Sequence, residues 1–176
     1  MKTQKWTLDL SHSELQFKVR HLMITNVTGS LKSFTAVLNT EENTFDGAEI
    51  SFTGDLNSLD TGNSDRDTHL KSGDFFDAEN FPNFDFNSTS VEKDGSDYIV
   101  KGNLTIKGKT NPVKLIAEYG GTATDLYGQT KAGFTLSGKI NRADFGLTWN
   151  AALETGGVVV SEEVRIAGEL QFIKQA

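Results

Sequence analysis

Apolar and polar residues alternate along most of this 176-residue chain. In the segment ELQFKVR, Leu15, Phe17 and Val19 are separated by polar side chains. Because successive side chains of a β-strand point to opposite faces, this period of two predicts a strand with one buried face. Similar runs recur along the chain: Phe34, Ala36 and Leu38; Ala48, Ile50, Phe52 and Leu56; Phe84 and Phe86; Tyr98, Val100, Leu104 and Ile106; Val113, Leu115, Ala117 and Tyr119; Ala132, Phe134, Leu136 and Ile140; and Val164, Ile166, Leu170 and Phe172.

Short segments rich in Gly, Asn, Asp and Lys separate these runs. The sequences EENTFDG, EKDGSD, IKGKTNP and ETGG are typical of turns, and KDGSD between two strand patterns indicates a hairpin. Eight or so strands with mostly short connections predict an antiparallel sandwich or barrel. Five glycines inside strand patterns predict bends or bulges of the kind that barrel closure needs. They are Gly54, Gly102, Gly133, Gly138 and Gly168.

One segment, SDRDTHLKSGDFF, breaks the alternation and predicts a helix over about residues 64–77. Ser64 is the expected N-cap, and Asp65 and Asp67 fall in the first turn, where the helix dipole favours negative charge. Gly73 is the expected helix stop. We therefore expect one all-β domain, residues 1–176, built as an eight-stranded antiparallel barrel with one helical insertion.

A barrel of eight strands is near the size at which side chains either fill the interior or leave room for one small ligand. The inward-facing positions are aliphatic and aromatic, so a cavity there would take a hydrocarbon chain with a small polar end. A filled core remains the alternative, because alternation defines the buried face and not its volume. The residues expected to line the interior are Phe17, Val19, Leu38, Ile50, Phe52, Phe76, Phe84, Leu104, Ile106, Leu115, Phe134, Leu136, Trp149 and Ile166.

Composition narrows the functional classes. The net charge is −7 and the pI is about 4.9, which argues against binding to nucleic acid or to anionic membranes. The absence of cysteine excludes disulfides, thiolate metal sites and cysteine nucleophiles. The sequence contains no run of about 18 apolar residues, so we predict no membrane-spanning helix. The N-terminus MKTQKWTLDL lacks the apolar core of a signal peptide, so a cytoplasmic location is expected, or a periplasmic one if a signal peptide was removed.

Three histidines, His12, His21 and His69, raise the possibility of a zinc site. His12 and His21 stand near the two ends of one strand pattern, and nine residues of strand span roughly 30 Å. We therefore expect hydrogen bonds to loops, with a polar contact to a ligand head group as the alternative, and we predict neither a metal site nor a cofactor.

Arg66, Asp67 and His69 lie close enough in sequence to suggest a charge relay. No serine nucleophile with a recognisable elbow accompanies them. The preferred interpretation is structural: Arg66 pairs with a carboxylate on the barrel and holds the helix there. Arg142 and Asp144 in NRADFG are interpreted in the same way. Trp149 is expected at the barrel interior or mouth, either in packing or against a ligand.

Several stretches resemble the YceI-like, polyisoprenoid-binding family, and together they cover nearly the whole chain. The most specific is LNSLDTGNSDRDTHLKSGDFFDAENFPNFDF, followed by INRADFGLTWN with its R-x-D-F-G motif. Further similarity lies in WTLDLSHSELQFKVRH, GNLTIKGKTNPVKL and EEVRIAGEL, and in GSLKSFTAVL, where Leu31 stands in place of the first Phe of a G-x-F-x-x-F element.

The resemblance implies a lipocalin-like barrel that holds a long polyisoprenoid or another long-chain amphiphile, with no established catalytic residue. It also fits a homodimer and, for many members, a periplasmic location. The expected function is non-enzymatic binding of a polyisoprenoid, an isoprenoid quinone or a fatty acid or amide, as carrier or storage protein. The alternatives are a stress-related scaffold with a filled barrel and an enzyme acting on an isoprenoid lipid.

Overall fold

The computed structural model describes residues 3–42, 44–150 and 160–176, which form strand segments, one α-helix and three short 3₁₀ turns. The helix α1 covers Ser64–Lys71. The 3₁₀ turns are Leu10–His12, Leu56–Ser58 and Arg142–Phe145. The strand segments are β1 (Thr3–Leu8), β2 (Glu14–His21), β3 (Thr25–Leu31), β4 (Phe34–Glu41), β5 (Glu49–Asp55), β6 (Leu59–Asp60), β7 (Asn83–Asp94), β8 (Asp97–Ile106), β9 (Lys109–Thr124), β10 (Thr130–Asn141) and β11 (Glu163–Lys174).

These segments form a closed barrel of eight strands, because three of the strands are each interrupted once. β1 and β2 both pair with β11, with Leu8 opposite Phe172 and Leu15 opposite Gly168. In the same way β3 and β4 continue each other, and so do β5 and β6. Every pairing is antiparallel, and the pairing of β11 with β1 and β2 closes the sheet. The predicted eight-stranded antiparallel barrel is confirmed.

Two of the interruptions share a local sequence cause. In DLSH and DLNS, the aspartate caps a 3₁₀ turn: Asp9 Oδ1 accepts from Ser11 N at 3.2 Å, and Asp55 Oδ1 accepts from Asn57 N at 2.9 Å. Such bonds compete with the strand ladder for the backbone. The third break, between β3 and β4, is tied to the second, since Ser33 N donates to Ser58 Oγ at 2.9 Å. The barrel wall therefore bends at neighbouring points.

The helix begins where the sequence predicts but is shorter. Its N-cap is Asn63 rather than Ser64, because Asn63 Oδ1 accepts from Arg66 N at 3.0 Å. The helix ends at Lys71 with Ser72 as C-cap, whose hydroxyl donates to the His69 carbonyl at 2.5 Å. Ser72, and not Gly73, therefore stops the helix, and the predicted extension to residue 77 is replaced by turns.

The strand glycines have two different structural roles. At Gly133 the register between β9 and β10 shifts, which confirms the predicted bulge. At Gly138 the register with β11 continues without a shift, so no bulge forms there. Gly138 instead leaves room for the side chain of Leu115, and Gly54 does the same for the ring of Phe84.

The core lies mainly inside the barrel, with a smaller cluster of Leu31, Phe34 and Leu59 near the strand breaks. Leu70 and Phe76, from α1 and the turns after it, pack against that smaller cluster. The helical insertion is therefore anchored on the barrel by apolar contacts. Within the described ranges, no helix is long and apolar enough to cross a bilayer.

We expect Gly54→Ala to destabilise the protein, because the new Cβ would overlap the Phe84 ring and lie 2.8 Å from Leu31 Cδ2. Overpacking of this kind costs about 1–3 kcal/mol. Gly73→Ala is the matched control, since its Cβ would meet nothing within 4 Å. Thermal melting of both variants checks the expectation, and equal losses would contradict it.

We expect Asp9→Asn to destabilise the protein at pH 7 but progressively less in acid. Hydrogen bonds from Ser11, His12 and Lys131 outweigh desolvation and lower the Asp9 pKa to about 2. A carboxylate with a depressed folded-state pKa contributes stability above its unfolded pKa, near 3.8, and loses it as pH falls towards 2. The contribution is about 2 kcal/mol.

Urea denaturation of the wild type and Asp9→Asn at pH 7, 4 and 3 measures this contribution. The difference in the free energy of unfolding between the two proteins should decrease below pH 4. Asp94→Asn changes an exposed carboxylate at the end of β7. Its free energy of unfolding should differ little from that of the wild type at each pH. If the loss of stability in Asp9→Asn did not change with pH, the stabilising effect of Asp9 would not come from its charge.

Candidate functional site

The barrel encloses a cavity of about 390 Å³ with an almost wholly apolar wall. This volume falls in the range of roughly 300–1,000 Å³ that is typical of ligand pockets. The barrel is therefore not filled by its own side chains. The fourteen residues predicted to line the interior, from Phe17 to Ile166, all lie at this cavity. Their contact with a ligand stays a prediction.

One end of the cavity is closed by aromatic rings centred on Phe45. The Phe45 ring lies 5.3 Å from Trp6, 5.2 Å from Phe134 and 5.6 Å from Tyr119, measured between ring centroids. Tyr98 joins the same cluster at 6.2 Å, and burial raises the pKa of its phenol. This end therefore presents rings rather than polar groups to whatever occupies the cavity.

The opposite end reaches the protein surface and is basic. Arg20 on β2 and Arg66 on α1 are both exposed and both line the cavity, so the cavity opens between these elements. His21, His69 and Arg142 line it as well. We call this end the mouth. Its cationic and imidazole groups contrast with the aromatic closed end.

Arg66 and Asp67 brace the loop that enters α1, not the barrel. Asp67 Oδ1 accepts from Thr61 N at 2.9 Å and from Thr61 Oγ1 at 2.5 Å. Arg66 Nε donates to the same Thr61 Oγ1 at 2.7 Å, and Nη2 donates to the Thr61 carbonyl. The predicted pairing of Arg66 with a barrel carboxylate is wrong, since no ion pair to Arg66 forms among the described residues.

Arg142 is buried and holds the chain around the mouth through main-chain oxygens. Nη1 donates to the carbonyls of Leu147 at 2.6 Å and Trp149 at 2.8 Å. Nε donates to Ser161 at 2.8 Å, and Nη2 to Val160 at 3.3 Å. Burial lowers the pKa of the guanidinium, because desolvation disfavours its charge. The four carbonyl oxygens replace the lost water.

Asp144 does not pair with Arg142. It is exposed, and the contact that it makes is through its main-chain carbonyl, which accepts from Asn111 Nδ2 at 2.7 Å. The arginine of the R-x-D-F-G motif therefore stabilises the mouth, while the aspartate lies outside it.

His69, Phe75 and Trp149 connect the helical insertion to the far side of the mouth. The His69 ring packs edge-on against Trp149 at 4.7 Å and against Phe75 at 5.1 Å. Phe75 lies 5.3 Å from Trp149, and the Arg142 guanidinium sits 5.9 Å above the Phe75 ring. The helix and the rim are therefore linked by ring packing and a cation–π contact, and not by the predicted pairing of arginines with carboxylates.

The three histidines have different partners, although His21 and His69 both line the cavity. His12 Nδ1 contacts Asp9 Oδ2 at 2.8 Å, and His69 Nε2 contacts Asp74 Oδ2 at 2.9 Å. His21 forms an isolated bridge with Val160. Over the ranges that the structure covers, no three His, Cys, Asp or Glu side chains are grouped as metal ligands. The prediction that no metal binds stays a prediction.

Sequence patterns did not identify Phe45 or Arg20 as cavity residues. Phe45 lies in EENTFDG, a segment typical of a turn, where a single aromatic residue has no periodic partner. The sequence indicates the burial of Phe45 only weakly, because a large aromatic ring in a polar turn is unfavourable when exposed to water. Arg20 falls on the outward side of the strand alternation and reaches the cavity only because β2 ends at the mouth.

We expect Arg142→Ala to destabilise the protein far more than Arg66→Ala, with Lys93→Ala as the exposed baseline. Removing the buried guanidinium takes this donor from the carbonyl oxygens of Leu147, Trp149 and Ser161, a loss of roughly 3 kcal/mol or more. The Val160 carbonyl keeps its bond from Asn150 Nδ2 at 2.7 Å. Arg66 is exposed, and among the described residues its side chain bonds Thr61 alone. Denaturant midpoints of the three variants check this order, and a larger loss at Arg66 would contradict it.

Known proteins share both the sequence and the fold of this chain. The YceI-like domain matches residues 6–172. A UPF0312 protein of Staphylococcus epidermidis is 38% identical over 169 residues, 96% of each chain. The crystal structure of the Campylobacter jejuni YCEI protein is 32% identical, with a TM-score of 0.77 over 90% of this chain and 91% of that one. A polyisoprenoid binding domain from Saccharophagus degradans, implicated in plant cell wall breakdown, is 19% identical, with a TM-score of 0.65 over 97% and 98% of the two chains. The chain belongs to the YceI-like family.

Proposed function

We propose that this protein binds a long-chain amphiphile inside its barrel and shields the chain of that molecule from water. The observation that carries the proposal is the apolar cavity of about 390 Å³, closed at one end and open at the other. A hydrocarbon chain fits such a cavity because each methylene removed from water contributes about 0.8 kcal/mol. The cavity also favours a binding protein over a scaffold with a filled barrel.

The two ends of the cavity define how such a ligand lies. The tail points towards Phe45 and its surrounding rings, where it meets mostly aromatic surface. The polar head lies at the mouth, near Arg20, His21 and Arg66. A few polar groups at the rim of an apolar pocket orient a ligand in this way.

The ligand class we favour is a polyisoprenoid, an isoprenoid quinone, or a fatty acid or amide. The structurally similar domain from Saccharophagus degradans is described as polyisoprenoid binding. Membership of the YceI-like family supports the same class. The length of a prenyl or acyl chain suits an elongated barrel interior better than a compact metabolite does.

We propose binding without a chemical step, as in a carrier or storage protein. Apart from Gln16, the polar residues that line the cavity are basic or aromatic, and Arg142 already directs its donors at main-chain carbonyls. Such groups position a head group by hydrogen bonds and charge. This arrangement supports transfer or storage of an unmodified lipid as the proposed role.

Organic extraction of natively purified protein, followed by mass spectrometry, tests the proposal. We expect a prenyl lipid, quinone or fatty acid derivative in near-stoichiometric amount. Ala36→Phe, which grows into the cavity from its wall, should reduce the bound lipid at least severalfold, because the ring takes the space of the chain. Ala167→Phe is the matched control, since Ala167 is exposed on the outer face of β11. An empty extract from the wild type, or equal lipid in both variants, would count against the proposal.

A further inference from the structure

The turn between β2 and β3 exposes three consecutive apolar side chains. Leu22 is 38% exposed, Met23 is 51% exposed and Ile24 is 73% exposed. Single apolar residues at a surface are ordinary, whereas a contiguous exposed group is typical of an interaction site. The group Leu22–Ile24 is called the apolar tip below.

The backbone of the apolar tip is unfavourable for the residues that occupy it. Ile24 N donates to the His21 carbonyl at 3.1 Å and closes the turn, with Leu22 at φ 53° and Met23 at φ 63°. A turn with both central residues in the left-handed region favours Asn-Gly, because a Cβ is strained there. Other tight turns of this barrel have glycine at such a position, as at Gly95 and Gly108. The sequence thus keeps large apolar residues where turn geometry and solvent both disfavour them, which is typical of a functional site.

The apolar tip adjoins the mouth of the cavity. It directly follows Arg20 and His21, both of which line the cavity. The Arg20 guanidinium donates to the Met23 carbonyl at 2.9 Å, and Arg20 N donates to Ser161 Oγ at 3.1 Å. The tip is therefore held by the same residues that form the rim.

We propose that the apolar tip docks on the surface of a lipid bilayer and places the mouth against it. A long-chain ligand then passes between bilayer and cavity without crossing water. The inference rests on the proposed function, because it concerns how the same site is loaded and emptied. A bilayer is the occupant we commit to, because the exposed apolar tip lies beside the mouth, to which Arg20 ties it, and because the proposed ligand partitions into bilayers.

Apolar contact, rather than charge, drives the docking. The chain carries a net charge of −7, and Glu162 and Glu163 follow the residue that bonds Arg20. Arg20 itself is suited to an interface, because its long stem packs on apolar surface while its guanidinium stays hydrated. We therefore expect docking on zwitterionic lipid, and no gain when anionic lipid is added.

A second exposed apolar group provides a control for nonspecific hydrophobic binding to vesicles. Leu126 and Tyr127, in the β9–β10 turn, are 100% and 90% exposed. They lie at the opposite end of β10 from Arg142, away from the mouth. Neither residue lines the cavity.

Co-sedimentation with phosphatidylcholine vesicles tests the proposal, using the double variant Leu22→Asn, Met23→Gly. The variant supplies the residues that the turn geometry favours, so its Tm should equal or exceed that of the wild type. Its vesicle binding should fall roughly tenfold, because it removes two exposed apolar side chains. Leu126→Ser should bind vesicles as the wild type does, and phosphatidylglycerol in the vesicles should not strengthen binding.

Equal vesicle binding by the wild type and the double variant would overturn the proposal, and so would an equal loss in Leu126→Ser. Light scattering on the same samples gives a further outcome: a wild-type dimer that the double variant loses, with no vesicle binding by either, would make the tip an interface between two copies. Lipid extracted from each variant separates this inference from the proposed function. If the double variant still carries lipid but no longer binds vesicles, the docking proposal is supported. If the wild-type extract contains no lipid, the proposed function fails, and the docking proposal that rests on it fails as well.

Discussion

The pairing of β11 with both β1 and β2 is the constraint on which the rest of the structure depends. An open eight-stranded sheet would expose its apolar face, whereas closure converts that face into an interior. One straight strand does not make both contacts here, because the chain breaks at Leu10–His12 between the two segments. The Asp9 cap that stabilises this break also accepts from Lys131 Nζ on β10, at 3.3 Å. A bend in one strand is thus tied to the closure of the whole barrel.

Closure alone would produce a symmetric tube, and the chain makes its two ends different. Phe45 places a ring at the centre of one end, where Trp6 and Phe134 surround it. At the other end, α1 packs on the segment after Arg142 through the rings of His69 and Trp149, and Arg142 bonds main-chain carbonyl oxygens of that segment. A neutral or amphiphilic molecule therefore meets a gradient along the barrel axis, from aromatic to basic.

The barrel was predictable from the sequence because alternation reports which face of a strand is buried. Most of the fourteen predicted lining residues follow from that rule, among them Phe17 and Ile166, whereas Phe76 lies in the segment that breaks the alternation. The volume of the interior did not follow, since it depends on closure and on how rings such as Phe45 fold over the end. The partners of Arg66 and Arg142 did not follow either, because main-chain carbonyls have no signature in the sequence. Charge pairing was the natural expectation, and backbone bonding replaced it in both cases.

The contacts between glycines and large side chains also constrain how this family can change. Gly29 leaves room for the Phe17 ring, and Gly54 does so for the Phe84 ring, each from a directly paired position on the neighbouring strand. Each ring fills the space that a Cβ would need, so neither partner can be exchanged alone without a clash or a void. The two positions of such a pair are therefore expected to covary. Among related barrels, a larger residue in place of the glycine should accompany a smaller residue in place of the ring.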